Sequence, residues 1–441
     1  MQRLLITNGT VIDPANGIDQ TGSLLIEDGR IAEFLEGSAP LGIDAERLDA
    51  GGLMVTPGFV DLHVGVGEPG FEEDETIASA ALAAVAGGIT SIATLPSTNP
   101  VVDNRGAAEF VKHQALQVQG ARVFPMGTVT RGARGEALAE IGQLVEADAI
   151  AFTDGKSPIT NAEIMRRALE YTDMFDRPIL HHAVVPELSE SGIMHEGFQS
   201  TRLGLRGIPA AAQDIMTGRD IALAELTGGH VHIMTVTSKD SVERLRSARS
   251  RGIRVSADIT PHHVLLDDAV MNSFDTLYKV DPPLRSQDHI EALVQALQDG
   301  TVTAISSDHQ PLAIEKKAVE LDVAPFGMCG LETLLCCCIR ALIEPGHLTW
   351  TQLVSCLTAG PAEVLGIDGG TLSPGRPADI TLIDPARKVT IDAAHFQSRS
   401  RNTPFDGDTF TGTVVRTIVG GRTVYTSDEQ GGHGNRSADQ M

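Results

Sequence analysis

Hydrophobic and polar residues alternate along the first part of the chain, the period-two pattern of strands with one face buried. LLITNGTVIDP, GSLLIEDGRIAEF and RLDAGGLMVTPG carry it, and Asp28-Gly29 sits between two apolar runs as a hairpin turn. From about Gly370 the style returns in DITLIDP, KVTID and GTVVRTIVGGRTVYT, again with paired glycines at a turn. Two β segments at opposite ends, 1–55 and 366–427, are therefore expected to pair into one small composite β-sandwich. The tail 428–441 is polar and Gly-rich and is expected to be disordered.

Between the two ends the pattern changes. ITSIATLP, ARVFPMGT, ADAIAFTD, RPILHHA, GHVHIMTVTS, IRVSADIT and TVTAISSDH are short apolar runs, each followed by a longer segment with helical periodicity. Strand, helix, strand over residues 56–365 predicts an α/β fold, a TIM-like (β/α)8 barrel. Chemistry in such a barrel gathers at the C-terminal ends of the strands, which here carry His63, Asp154, His182, Thr235 and Asp308.

Composition narrows the partners. Of 441 residues, 42% are hydrophobic and 21% charged, as in a soluble globular protein. The net charge of -24 would repel phosphate backbones and anionic lipid, so neither nucleic acid nor membrane is an expected partner. The start MQRLLITNGTVIDP reads as neither a secretory signal nor a transit peptide, and no apolar run is long enough to span a bilayer; a cytoplasmic protein is expected. Cys329, Cys336, Cys337, Cys338 and Cys356 are expected to be buried free thiols.

The segment GFVDLHVGVGEPG, Gly58 to Gly70, resembles the opening motif of dihydroorotases, class I members of the amidohydrolase superfamily. PSTNPVVDN, HHAVVPEL, HEGFQSTRLGLRGIP, TPHH, VDPPLR, SSDHQPL, APFGMCGLETLL, GTLSPGRPADITLIDP and SRNTPFDG resemble further segments in family order. The resemblance implies an amidohydrolase barrel and a set of metal-binding and substrate-binding positions, only some of which are filled. His63 matches the first His of the family's His-x-His pair, while Gly65 stands at the second and Gly67 at an Arg that grips the substrate carboxylate. In ADAIAFTDGKSP an ungapped count places Asp154 at the first of two family Asp residues and Gly155 at the metal-bridging one; a one-residue slip would restore Asp154 as a ligand. His182 matches a ligand, with Val184 and Val185 replacing acids beside it, and Thr235 replaces another ligand His. Asp308 matches the catalytic Asp. Ser97, Asp281 and Leu312 replace substrate-binding residues.

Water attacking an unactivated amide needs metal ions to lower its pKa and polarise the carbonyl. By the stricter count three of six ligands remain, His63, His182 and Asp308, shared between two ions, whereas a catalytic zinc commonly keeps three protein ligands of its own. No cofactor is therefore expected, and Asp308 is read as a vestigial general base, hydrogen-bonded locally beside His309. Asp281 would add a repulsion against anionic substrates. His262 and His263 are read as structural, and the loop Ala324 to Glu332 as a cap on the barrel mouth. VFPMGTVTRGARGEALAEI and RRALEYTDMFDRPI resemble most the non-catalytic dihydroorotase-like subunits that assemble with aspartate transcarbamoylase in pyrimidine biosynthesis. That resemblance implies a pseudoenzyme, a homo-oligomer, with the aspartate transcarbamoylase catalytic subunit as partner. The alternative is an active zinc-dependent dihydroorotase, closing carbamoyl aspartate to dihydroorotate with a reduced site of His63, His182, Asp154 and Asp308.

Overall fold

The structure, a computed structural model, describes residues 3–37 and 42–427. The expected tail, 428–441, lies outside the described residues.

Both chain ends do meet, in one hydrogen-bonded sheet that curls until the Arg30 end approaches the segment before Ile380, where Ile31 N donates to Arg376 O and Gly375 N to Ile31 O. Its order is Arg422–Thr426, Thr409–Val419, Ile380–Thr390, Met54–Pro57, Arg3–Asp13, Ile18–Glu27, Arg30–Glu36, with Glu46–Asp49 also paired to Arg3–Asp13. The Asp28-Gly29 turn is as expected: Glu27 pairs with Arg30, and both turn residues have positive φ, 47° and 78°. Such a left-handed pair twists in the sense that flanking strands prefer. DITLIDP and KVTID, read as separate strands, form one strand; the register shift between Asp384 and Lys388 absorbs Pro385, which cannot donate to a ladder. Ile6, Val11, Leu24, Ile26, Val55 and Ile380 form this sheet's apolar core.

Residues 59–305 supply parallel strands in chain order. Phe59–Val64, Ile89–Thr94 and Arg122–Pro125 pair in one sheet, and Ile179–His181, Val231–Ile233, Val255–Ile259 and Ala304–Ile305 in another. ADAIAFTD, expected as a strand between them, contributes only Phe152, bridged in parallel to Gly127 and Ile179. A backbone bond from Gly65 N to His309 O, 2.8 Å, ties the end of the first strand to the segment after the last. Neighbouring residues on these strands fall into different apolar clusters: Phe59, Ile92, Ile179 and Ile233 into a large one, Val60, Ala93, Leu180 and Met234 into a smaller one. Alternating faces of a pleated strand buried on both sides give that division. Helices such as Ile77–Ala86, Ala162–Asp173, Ala211–Thr227 and Lys239–Ser250 connect the strands; Thr76 caps the first and Asn161 the second.

The terminal sheet is fastened to the parallel core. Thr381 Oγ1 donates to Gly88 O and Thr417 Oγ1 to Val85 O, each at 2.6 Å, and Arg122 forks onto Asp379 at 2.8 and 3.1 Å. All five cysteines are free and buried. Among the described residues no helix is long and apolar enough to cross a membrane.

Candidate active site

His63 lies in the strand Phe59–Val64, and Asp154, His182, Thr235 and Asp308 each lie within three residues after Phe152, His181, Ile233 and Ile305. All five are nearly inaccessible to solvent. Their side chains do not converge on a common point.

The His63 side chain is fully buried, with Nε2 3.0 Å from Asp258 Oδ2 and Nδ1 3.4 Å from Asp308 Oδ1. Burial disfavours a charged ring, but the Asp258 carboxylate, and Asp308 after it, outweigh that and raise its pKa to about 10. The two carboxylates thus favour a protonated ring that donates from Nε2 to Asp258, while Nδ1 makes no hydrogen bond. Asp258 is correspondingly held below the usual carboxylate range: burial works against ionisation, but His63 and His232 overcome it. Asp258 Oδ1 accepts from His232 Nε2 at 2.9 Å and from Thr235 N at 3.1 Å.

Asp308 does not bond locally as the sequence suggested. Its carboxylate reaches across to Lys156, with Nζ 3.0 Å from each oxygen. Despite burial, Lys156 and His63 hold the Asp308 pKa well below its ordinary value. Asp281, read as a group that would repel an anion, lies instead against His182: Oδ2 is 3.1 Å from His182 Nε2, and the Asp281 pKa is lowered by that neighbour against the pull of burial. His182 Nδ1 and the Thr235 hydroxyl have no hydrogen-bond partner. The neighbouring His181 is committed elsewhere, to Asp220 at 2.6 Å and to Ile159 N at 2.9 Å. His263 is structural, bonded to Thr260 Oγ1 at 2.6 Å and Pro282 O at 2.8 Å, whereas His262 Nε2, equally buried, is unpartnered.

Asp154 turns away from this cluster. It accepts from Val129 N at 2.8 Å, Thr130 N at 2.9 Å and the Thr130 hydroxyl. A slip of register would therefore not bring it back as a ligand. At the other vacated positions the surroundings have closed in. A Cβ on Gly65 would lie 2.8 Å from His309 O, one on Gly67 1.9 Å from Phe71 O, and one on Gly155, at φ +64°, 2.0 Å from Ser97 Oγ. Gly65, Gly67, Ser97 and Leu312 line a shallow mouth cavity of about 150 Å³.

A zinc ion requires at least three lone-pair donors around one point. Among the described residues no group of three or more His, Cys, Asp or Glu is placed to hold one. The donors that remain do not form a metal shell, although His63 Nδ1, His182 Nδ1 and Asp308 Oδ1 are buried without a hydrogen-bond partner.

Two residues that matter here were not singled out from the sequence. Lys156 follows the glycine at the bridging position. Asp258 interrupts the buried strand Val255–Ile259, where Val255, Ala257 and Ile259 alternate with Ser256 and Asp258; polar residues at alternate positions of a wholly buried strand were the available signal. Together they complete a buried polar chain. His230 Nε2 meets Ser256 Oγ at 2.8 Å, Ser256 meets His232 Nδ1 at 2.8 Å, and His232 and His63 both meet Asp258; a 3.4 Å approach of His63 Nδ1 to Asp308 Oδ1, with no hydrogen bond, leads on to Lys156.

The amidohydrolase family profile matches residues 54–424. The dihydroorotase of Pelotomaculum thermopropionicum is 48% identical over 423 residues, covering 96% of this chain and 98% of the relative; that of Syntrophotalea carbinolica is 45% identical, covering 96% and 99%. The chain belongs to the amidohydrolase family, among the dihydroorotases. This dihydroorotase homologue also shares its fold with more distant solved members. An L-hydantoinase from Arthrobacter aurescens superposes with a TM-score of 0.86 at 24% identity over 98% of this chain and 97% of the other. A dihydropyrimidinase from Brevibacillus agri gives 0.83 at 22%, with the same coverage.

Proposed function

We propose that this dihydroorotase homologue works in pyrimidine biosynthesis as a non-catalytic barrel, a structural subunit for aspartate transcarbamoylase. One observation carries the reading: His63, His182 and Asp308, the surviving ligand positions, each lie against another side chain of the protein, while the positions of their lost companions are glycine or threonine. The Lys156 ammonium stands at Asp308, where the chemistry would need a carboxylate aimed at a cation. The anionic substrate of a dihydroorotase would also meet Gly67 in place of a guanidinium, the buried carboxylates of Asp258 and Asp308, and the partly exposed one of Asp281.

A second reading is supported better by the comparisons. The relatives at 44–48% identity are named dihydroorotases over nearly their whole length, which favours a zinc-dependent enzyme that closes carbamoyl aspartate to dihydroorotate. One experiment separates the two. Purified protein is assayed for zinc by mass spectrometry and for interconversion of carbamoyl aspartate and dihydroorotate, before and after chelation. The scaffold reading expects neither metal nor turnover, and a defined complex when the chain is mixed with an aspartate transcarbamoylase catalytic subunit at micromolar concentration. Close to one zinc per chain, with turnover lost on chelation, would establish the enzyme instead. A chain that stays alone in the mixture would remove the partner.

A further inference from the structure

We propose that Lys156 is a built-in cation that does the charge-balancing work of a metal ion at this centre. The inference rests on the metal-free reading above and adds a residue to it. Two buried carboxylates, Asp258 and Asp308, and the partly exposed Asp281 lie about this centre, and an uncompensated charge in the interior is costly. His63 serves Asp258 and Asp308, and His182 serves Asp281. Lys156 adds the remaining cation: its ammonium contacts both oxygens of the Asp308 carboxylate and donates to the Asp281 main-chain carbonyl at 2.8 Å.

The backbone explains how it arrives there. Gly155 has a φ of +64°, a left-handed conformation that a side chain resists. A Cβ at that position would also meet Ser97 Oγ at 2.0 Å. The chain therefore turns at the residue that the family uses as a bridging carboxylate, and the turn delivers the next side chain to the centre. Loss of the anion at 155 and gain of the cation at 156 are one geometrical change. The Lys156 side chain is about one-quarter exposed, so its stem enters from the mouth and its head closes the site from above. A divalent ion could settle beside Asp308 only by displacing it.

The test uses the full-length chain and three variants, Lys156→Met, Asp308→Asn and the double variant, melted with chelator, with no addition and with zinc chloride. Removing one partner of a buried pair should lower the melting temperature by roughly 5 °C or more. The double variant should recover part of the summed loss, which keeps the pair measurable even where a single variant is poorly folded. The wild type and Lys156→Met should each melt identically in all three conditions, and a fourth variant, Lys156→Arg, which keeps the charge, should hold more of the wild-type stability than Lys156→Met, a rescue that lost packing alone would not produce. Lys156→Met melting like a metal-free wild type, or additive losses in the double variant, would overturn the role of Lys156 and leave the scaffold reading standing. Stoichiometric zinc in the wild type would overturn both.

Discussion

At the scale of single residues, the interior turns on Asp258. It accepts from two imidazoles and one backbone amide, and it has no water to fall back on. Asp258→Asn keeps the shape but withdraws the negative charge from beside the buried His63 imidazolium. Stability should fall by about 3–5 kcal/mol, the usual cost of breaking a buried pair from one side. Urea unfolding followed by circular dichroism would measure it; a loss under 1 kcal/mol would mean that His63 is uncharged. His63, His182 and Asp308 were legible in the sequence because residue type and strand-end position sufficed to single them out. Lys156 and Asp258 were not. Their partners lie 152 and 195 residues away along the chain, and only the assembled strands bring them together.

At the scale of elements, hairpins were the most legible, since Asp28-Gly29 and Gly420-Gly421 carry their turn geometry in their own residue types. ADAIAFTD was the least. Its apolar run is long enough for a strand, but only Phe152 pairs, with one parallel bridge to Gly127 and one to Ile179. The loop Ala324–Glu332, read as a cap on the mouth, is held by contacts its own sequence does not reveal. Gln310 N donates to Met328 O at 2.8 Å and Cys329 N to Asn402 O at 2.9 Å. Two buried lysines add to this: Lys279 Nζ donates to Leu321 O and Asp322 O, and Lys317 Nζ to Thr276 O, Lys279 O and Pro325 O. These ammonium groups have carbonyls, not carboxylates, as partners, so they act as fasteners between segments. Lys317→Met should free the loop, speeding amide hydrogen exchange across 324–330 at least tenfold while the strand Phe59–Val64 exchanges as before. Unchanged exchange in the loop would show that Lys279 and the backbone bonds suffice.

At the scale of the whole molecule, the buried titratable groups set where in pH the fold is most stable. His195, His230 and His263 are pushed down to about 4, mainly by burial, and His232, His262 and His289 are lowered for the same leading reason. A histidine kept neutral in the fold contributes fully above its unfolded pKa near 6.5, and the contribution is lost as pH falls through the folded value. His63 runs the other way. Its raised pKa gives stability that is complete below 6.5 and drains away as pH rises to about 10. Glu332, pushed up to about 8 by burial, adds to that decline as far as pH 8; beyond it Lys317, lowered to about 8 by burial, begins to offset His63. The urea midpoint should therefore peak near pH 6.5, fall steeply on the acid side, fall more gently to pH 8 and flatten to about pH 9. Above that it should fall again as Cys329, Cys337, Cys338 and Cys356, whose pKa values burial raises, resist an ionisation that the unfolded chain undergoes. Each group contributes a slope of about 1.4 kcal/mol per pH unit within its own window. His63→Gln should roughly halve the decline between 6.5 and 8 while leaving the acid side intact, which separates the centre from the remaining histidines. A midpoint that climbs from pH 6.5 to 8, or a His63 ring proton that titrates near 6.5 by NMR, would place a neutral imidazole at the centre and reopen it to metal.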